Sequence, residues 1–292
     1  MQHTISNSQL KVNIFDRGTE ICSLKSVQSG TEYMWNGDPD IWGSHAPVLF
    51  PAIGSFKNDE CTINGKVYNI PKHGFIRNNE DIALSHKTES ALHFTLNYSE
   101  KTLAVFPFKF KFYISFELYG KKLVISHKVE NLDDQEIHFS LGAHPAFKCP
   151  INNNEEYADY YLEFEKTEHA ERTLLSPNGL ISNETELILD NTNILNLTPT
   201  LFKDDALIFK NLKSKKVRLK SRTSDQVLTV SYSDFKYLGI WAKPNAPFIC
   251  IEPWIGIADH ENTDGDYLKK DGLIVLPKAE VFEASYEVEI EE

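Results

Sequence analysis

The chain has 292 residues, 41% of them apolar and 25% charged, which are values of a globular protein able to bury a sizeable core. A formal net charge of −12 excludes a basic nucleic-acid-binding surface, and no apolar run reaches the ~18 residues of a membrane span. Cys22, Cys61, Cys149 and Cys250 are scattered without a C-x-x-C pair, and the leading MQHTISNSQLKV has no apolar signal core, so a cytoplasmic setting with reduced thiols is expected.

Along the chain, LKVNIFD and EICSLKSV open a series of short alternating runs that reads as strands. ALHFTLNY precedes the strongest of them, FKFKFYISFELY (108–119). This run places Phe108, Phe110, Phe112, Ile114 and Phe116 on one face, and Lys109, Lys111, Tyr113, Ser115 and Glu117 on the other. Gly120-Lys121-Lys122 then turns into KLVISHKVE, a hairpin partner. EIHFSLG, YYLEFE, KVRLKS, QVLTVSY, YLGIWA and EVFEASYEVEIE continue the pattern, separated by Asn, Asp, Gly, Pro and Ser. Helical periodicity is confined to candidate short turns near NLTPTLFKDD and YLKKDG. With no repeat and no linker, residues 1–292 read as one all-β, predominantly antiparallel sandwich whose strand edges admit a monomer or a homodimer.

Four segments carry possible chemistry. In PKHGFIRN (71–78), Gly74 permits a tight turn that could aim His73 and Arg77 at one cleft; the plainer alternative is a turn histidine beside a surface arginine. In LGAHPAF, Gly142 and Pro145 bracket His144, which could equally be a satisfied core histidine. In CIEPWIGIAD, Glu252 ends an apolar run and is held extended by the following proline, while Trp254 offers an apolar face to a sugar ring. A structural ion pair would be the plain reading of that glutamate. In LFKDDALIFK, Asp204 and Asp205 precede an apolar strand and could simply shape a turn, and His45 in WGSHAPVLFP reads as loop structure. ADHENTDGDYLKKDG fails the EF-hand register, and no nucleotide-binding, serine-hydrolase or zinc-protease motif is present, so no cofactor and no metal are expected.

The order HGF-x-R, G-x-HP-x-F, E-P-W-x-G resembles the aldose 1-epimerase (galactose mutarotase-like) family, and within it the LacX-like branch. The resemblance begins at GTEICSLKSV and runs through APVLFPAIG to the C-terminal strands. It implies a galactose mutarotase-like β-supersandwich that interconverts α and β anomers of a small monosaccharide (an aldose or sugar phosphate), without metal or cofactor. By the same resemblance Glu252 is the catalytic base, His144 the general acid at the ring oxygen and His73 a second histidine near it, with Arg77 and Asp205 binding hydroxyls. Galactose mutarotases carry an arginine where this chain has Ser55, within IGSFKND. A non-catalytic carbohydrate-binding module on the same fold stays open as an alternative, as does a glycoside-cleaving enzyme, although the latter wants two flanking carboxylates.

Overall fold

In the computed structural model, which describes all 292 residues, the strongest alternating run becomes the strand Phe110–Tyr119. It is buried at Phe110, Phe112, Ile114, Phe116 and Leu118 and turns the intervening residues outward. Lys122–Asn131 returns antiparallel beside it through Gly120, where φ is 57°. The C-terminal strand Val281–Glu291 pairs on its far side.

These strands belong to a 15-stranded antiparallel sheet whose path runs from Val48–Leu49 through Leu141–Ala143, Phe248–Ile255 and Tyr237–Trp241 to Ala83–Lys87 at the other edge. The two ends of that path meet. Phe50, next to the first strand, packs on Phe110 and Phe112 with ring centroids 5.2 and 5.0 Å apart, and on Phe139 at 5.5 Å. The sheet therefore folds over on itself and encloses a core cluster of 72 residues, which is the expected all-β sandwich. A separate three-stranded sheet, Gln2–Ser6, Leu10–Phe15 and Ile21–Ser26, contributes Ile5, Leu10, Val12, Ile14, Ile21 and Leu24 to the same core.

Three local expectations need correction. NLTPTLFKDD forms successive turns with no helical element, whereas YLKKDG does hold the expected short helical turn, the 3-10 turn Tyr267–Lys269. The single α-helix is Glu100–Val105, started by Ser99, whose hydroxyl accepts from the Thr102 amide while the Ser99 amide donates to Thr102 Oγ1. No helix is long and apolar enough to cross a membrane. YYLEFE is only the start of a 16-residue strand, Tyr160–Leu175, paired with Ile181–Asn196. Alternation misses the second of these because Asn183–Leu187 are exposed on both faces and the register shifts along the pair.

Candidate active site

The strand Phe248–Ile255 forms the floor of the site. Cys250, Glu252 and Trp254 share one face of it, since side chains alternate along a strand. The neighbouring strands make room for the large indole by offering glycine. Gly239 lies opposite Glu252 and Gly142 opposite Trp254, and a Cβ on either would stand 2.7 or 2.8 Å from the Trp254 ring. Glu252 is thus fixed at the centre of a buried strand, with 1% of its surface exposed.

His144 follows the strand Leu141–Ala143 and donates its backbone N–H to the Pro47 carbonyl at 3.0 Å. Its Nε2 stands 3.3 Å from Glu252 Oε2. Trp42 stacks on the imidazole at 5.1 Å and 28°, and Trp241 meets it edge-on at 5.8 Å and 84°, so aromatic packing sets the ring's orientation.

His73 is held from its backbone outward. Its N–H donates to the Gly54 carbonyl at 3.1 Å, and its Nδ1 accepts from the Gly54 N–H at 3.3 Å. Accepting at Nδ1 leaves the proton of the neutral ring on Nε2. The His73 ring centroid lies 5.8 Å from that of His144. The tight turn that allows this depends on Gly74, at φ 74°, where an added Cβ would come within 2.0 Å of the Phe50 carbonyl oxygen. Gly74→Ala is therefore expected to lose about 2–5 kcal/mol of stability, from left-handed strain plus backbone overlap. Urea denaturation measures it, and a loss below ~1 kcal/mol would contradict the clash.

Arg77 sits in the next 3-10 turn, Ile76–Asn78, and donates to Ser44 Oγ at 3.2 Å without a carboxylate partner. Gly18 lies beneath it: a Cβ there would be 2.4 Å from the Arg77 carbonyl oxygen. The early GTE segment thus acts as a support for the arginine. Of the two neighbouring aspartates, Asp204 is paired with the buried Arg172 at 3.1 Å. Asp205, at φ 73°, accepts only from the Ala206 N–H by its side chain and remains available to a ligand.

The electrostatics follow from burial. Glu252 is held well above the usual carboxylate range, first by desolvation and then by Asp205, while Lys72, the Trp254 indole and Arg77 pull the other way. His144 is pushed down to about 3 by burial and by the positive charges of Arg77 and Lys72. His73 is also well below the ordinary imidazole value, through burial, then His144, Lys72 and Arg77. Both directions disfavour charge on the Glu252–His144 pair, whose nearest atoms lie 3.3 Å apart.

Glu252, His144, His73, Arg77, Asp205 and Trp254 all line one cleft of about 790 Å³. Trp254, however, is 5% exposed with its ring pressed over the two glycines. The partly exposed aromatic walls are Trp42 and Trp241, which the sequence reading passed over although they lie in the quoted segments WGSHAPVLFP and YLGIWA, because local sequence does not show which way an indole faces. Lys72 and the tip of the long hairpin, Ser176, Pro177 and Gly179, complete the rim. His45 does not reach the cleft and packs edge-on against Phe15.

Residues 1–269 match the sequence pattern of the family described as Aldose 1-epimerase. The chain belongs to the aldose 1-epimerase family. It is 34% identical over 263 residues to Protein LacX of Lactococcus lactis subsp. lactis, with 87% of each chain covered. The fold is shared with the galactose mutarotase related enzyme from Lactobacillus acidophilus, at 36% identity, TM-score 0.94 and coverage of 100% of this chain and 98% of that one. A galactose mutarotase-like protein from Lactobacillus casei superposes with TM-score 0.93 at 33% identity over the full length of both chains.

In this family member the IGSFKND segment is used through its backbone. The Ser55 carbonyl accepts from the Asp259 N–H at 3.0 Å, and the Lys57 N–H donates to the Asp259 carboxylate at 3.1 Å. The segment is a backbone support behind Gly54 and His73. It brings no guanidinium to the cleft, where Lys72, Arg77 and Lys203 are the lining cations.

Proposed function

We propose that this protein interconverts the α and β anomers of an aldose by opening and reclosing its ring. The observation that carries the reading is the Glu252–His144 pair, 3.3 Å apart on the floor of a cleft large enough for a monosaccharide. Mutarotation removes a proton from the anomeric hydroxyl and delivers one to the ring oxygen of the same molecule. Glu252 takes the first and His144 supplies the second, so the pair's proton count is unchanged by ring opening. The open aldehyde rotates about the bond next to its carbonyl. Reclosure runs the two transfers backward on the other carbonyl face. His73, with its proton on Nε2, donates toward the ring oxygen. Arg77 and Asp205 bind hydroxyls, and Trp42 and Trp241 face the apolar C–H surface. No group in this scheme becomes a nucleophile.

The deciding measurement is anomer-resolved NMR saturation transfer on a panel of free aldoses and their 6-phosphates. Exchange faster than in buffer alone is expected for at least one of them. Tight binding with no acceleration would replace this reading with a binding module, and release of reducing ends from an oligosaccharide would replace it with glycoside cleavage.

The pair also fixes the pH dependence. Activity requires one proton on Glu252 and His144 together, so it is lost at low pH when a second proton binds and at high pH when the last one leaves. Lys72 lowers the proton affinity of both groups. Removing its charge makes both protons bind more tightly. Lys72→Met is therefore expected to move both limbs of the kcat/KM profile to higher pH, and limbs that stay fixed or move down would refute the assignment.

A further inference from the structure

Cys250 takes no part in the chemistry above, yet its thiol stands among the groups that do. It precedes Glu252 by two residues on the same strand face, is fully buried, and pairs in register with Trp241 and with Ala146. His144 Nε2, Cys250 Sγ and a Glu252 carboxylate oxygen lie within 4.8 Å of one another. Glu252 Oε2 is buried without a hydrogen-bond partner, although it lies 3.3 Å from His144 Nε2. An imidazole, a thiol and a carboxylate are the donor types that zinc favours, and such three-ligand sites keep a fourth position open. Here His144 and Glu252 line the cleft, so that position would face it. Bonds of about 2.0–2.3 Å to one ion require the most distant donors to close by ~1 Å on binding.

We infer that the cleft floor is a binding site for a soft divalent cation of zinc's class, and that the ion acts as an inhibitor by occupying the acid/base pair. The inhibitory part rests on the mutarotase reading; the binding part does not. On binding, the thiol and the pair give up their protons to solvent, and the metal takes a thiolate, a carboxylate and a neutral imidazole. Hard cations such as magnesium find too few oxygen donors here to compete.

The test uses the intact protein with zinc chloride, cobalt chloride and magnesium chloride. Cobalt is expected to give a thiolate-to-metal charge-transfer band at one ion per chain, absent in Cys250→Ala and in Glu252→Gln. Zinc is expected to raise the thermal midpoint of the wild type and, reversibly with EDTA, to suppress anomer exchange. Cys250→Ala should keep the exchange rate while needing at least about tenfold more zinc for the same inhibition. Cys250→Ser serves the same comparison if alanine leaves the core underpacked. A missing cobalt band, a band unchanged in these variants, or equal inhibition by magnesium would overturn the site. A protein that binds cobalt as described yet accelerates no anomer exchange would retain the metal site and discard the mutarotase reading.

Discussion

Glu252→Gln is expected to abolish most of the anomer exchange while making the folded protein more stable at neutral pH. The loss should be about 10²–10⁴-fold in kcat/KM, because an amide cannot accept the anomeric proton. The gain has a separate origin. Burial raises the carboxyl well above its ordinary range, whereas the unfolded chain ionises it near a pKa of about 4.3. Such a group contributes its stability fully at pH below the unfolded value and loses it as pH rises toward the folded one. Each unit of pH in that window costs the wild type about 1.4 kcal/mol that the glutamine variant does not lose. The stability difference between the two proteins should therefore vanish near pH 4 and widen on the way to neutrality. Urea titrations across pH, paired with saturation-transfer rates, give both halves. Full activity in the variant would eliminate Glu252 as the base, and a variant less stable at pH 7 than at pH 4 relative to wild type would contradict the burial argument.

Lys270→Met is expected to be the most destabilising change remote from the Glu252–His144 pair. Lys270 Nζ meets Asp259 Oδ1 at 2.8 Å with only 1% and 6% of the two side chains exposed, and the ammonium lies 4.8 Å from the Phe56 ring centroid. Asp259 also accepts from the Lys57 N–H, donates its own N–H to Ser55, and receives the Ile181 N–H on its carbonyl at 2.7 Å. One aspartate thus ties the loop behind Gly54 and the base of the cleft-lining hairpin to the end of the strand Phe248–Ile255. Removing the lysine leaves a buried carboxylate without its cation, a loss of about 3–5 kcal/mol. Activity should fall as well, because Gly54 positions His73 through both of its backbone groups. The double variant Asp259→Leu/Lys270→Met should recover much of the stability, since it removes both charges. A single-variant cost below ~1 kcal/mol would mean that the pair is solvated in solution.

The fold was legible where one face of a strand is wet and the other dry. The runs at 108–119 and 122–131 carry that contrast in every residue, and their pairing and burial follow it directly. The Ile181–Asn196 strand was illegible for the opposite reason: with Asn183–Leu187 exposed on both sides, no period-two signal exists to be read. The helix Glu100–Val105 was missed because six residues are too short for a 3.6-residue period to emerge, although the Ser99–Thr102 cap was written in the sequence.

Within the candidate site, the sequence by itself determined the reactive groups and their local backbone. His73, His144 and Glu252 stand beside Gly74, which frees φ, and Pro145 and Pro253, which restrict it, effects that act over one or two residues and need no tertiary contact. Tertiary structure alone decided what those groups become. It selected Asp205 over Asp204 by spending the latter on Arg172, turned Trp254 inward over Gly142 and Gly239, and brought in Trp42 and Trp241 as walls. It also set the proton affinities of Glu252 and His144, because desolvation and the charges of Lys72, Arg77 and Asp205 depend on distances across strands far apart in the chain.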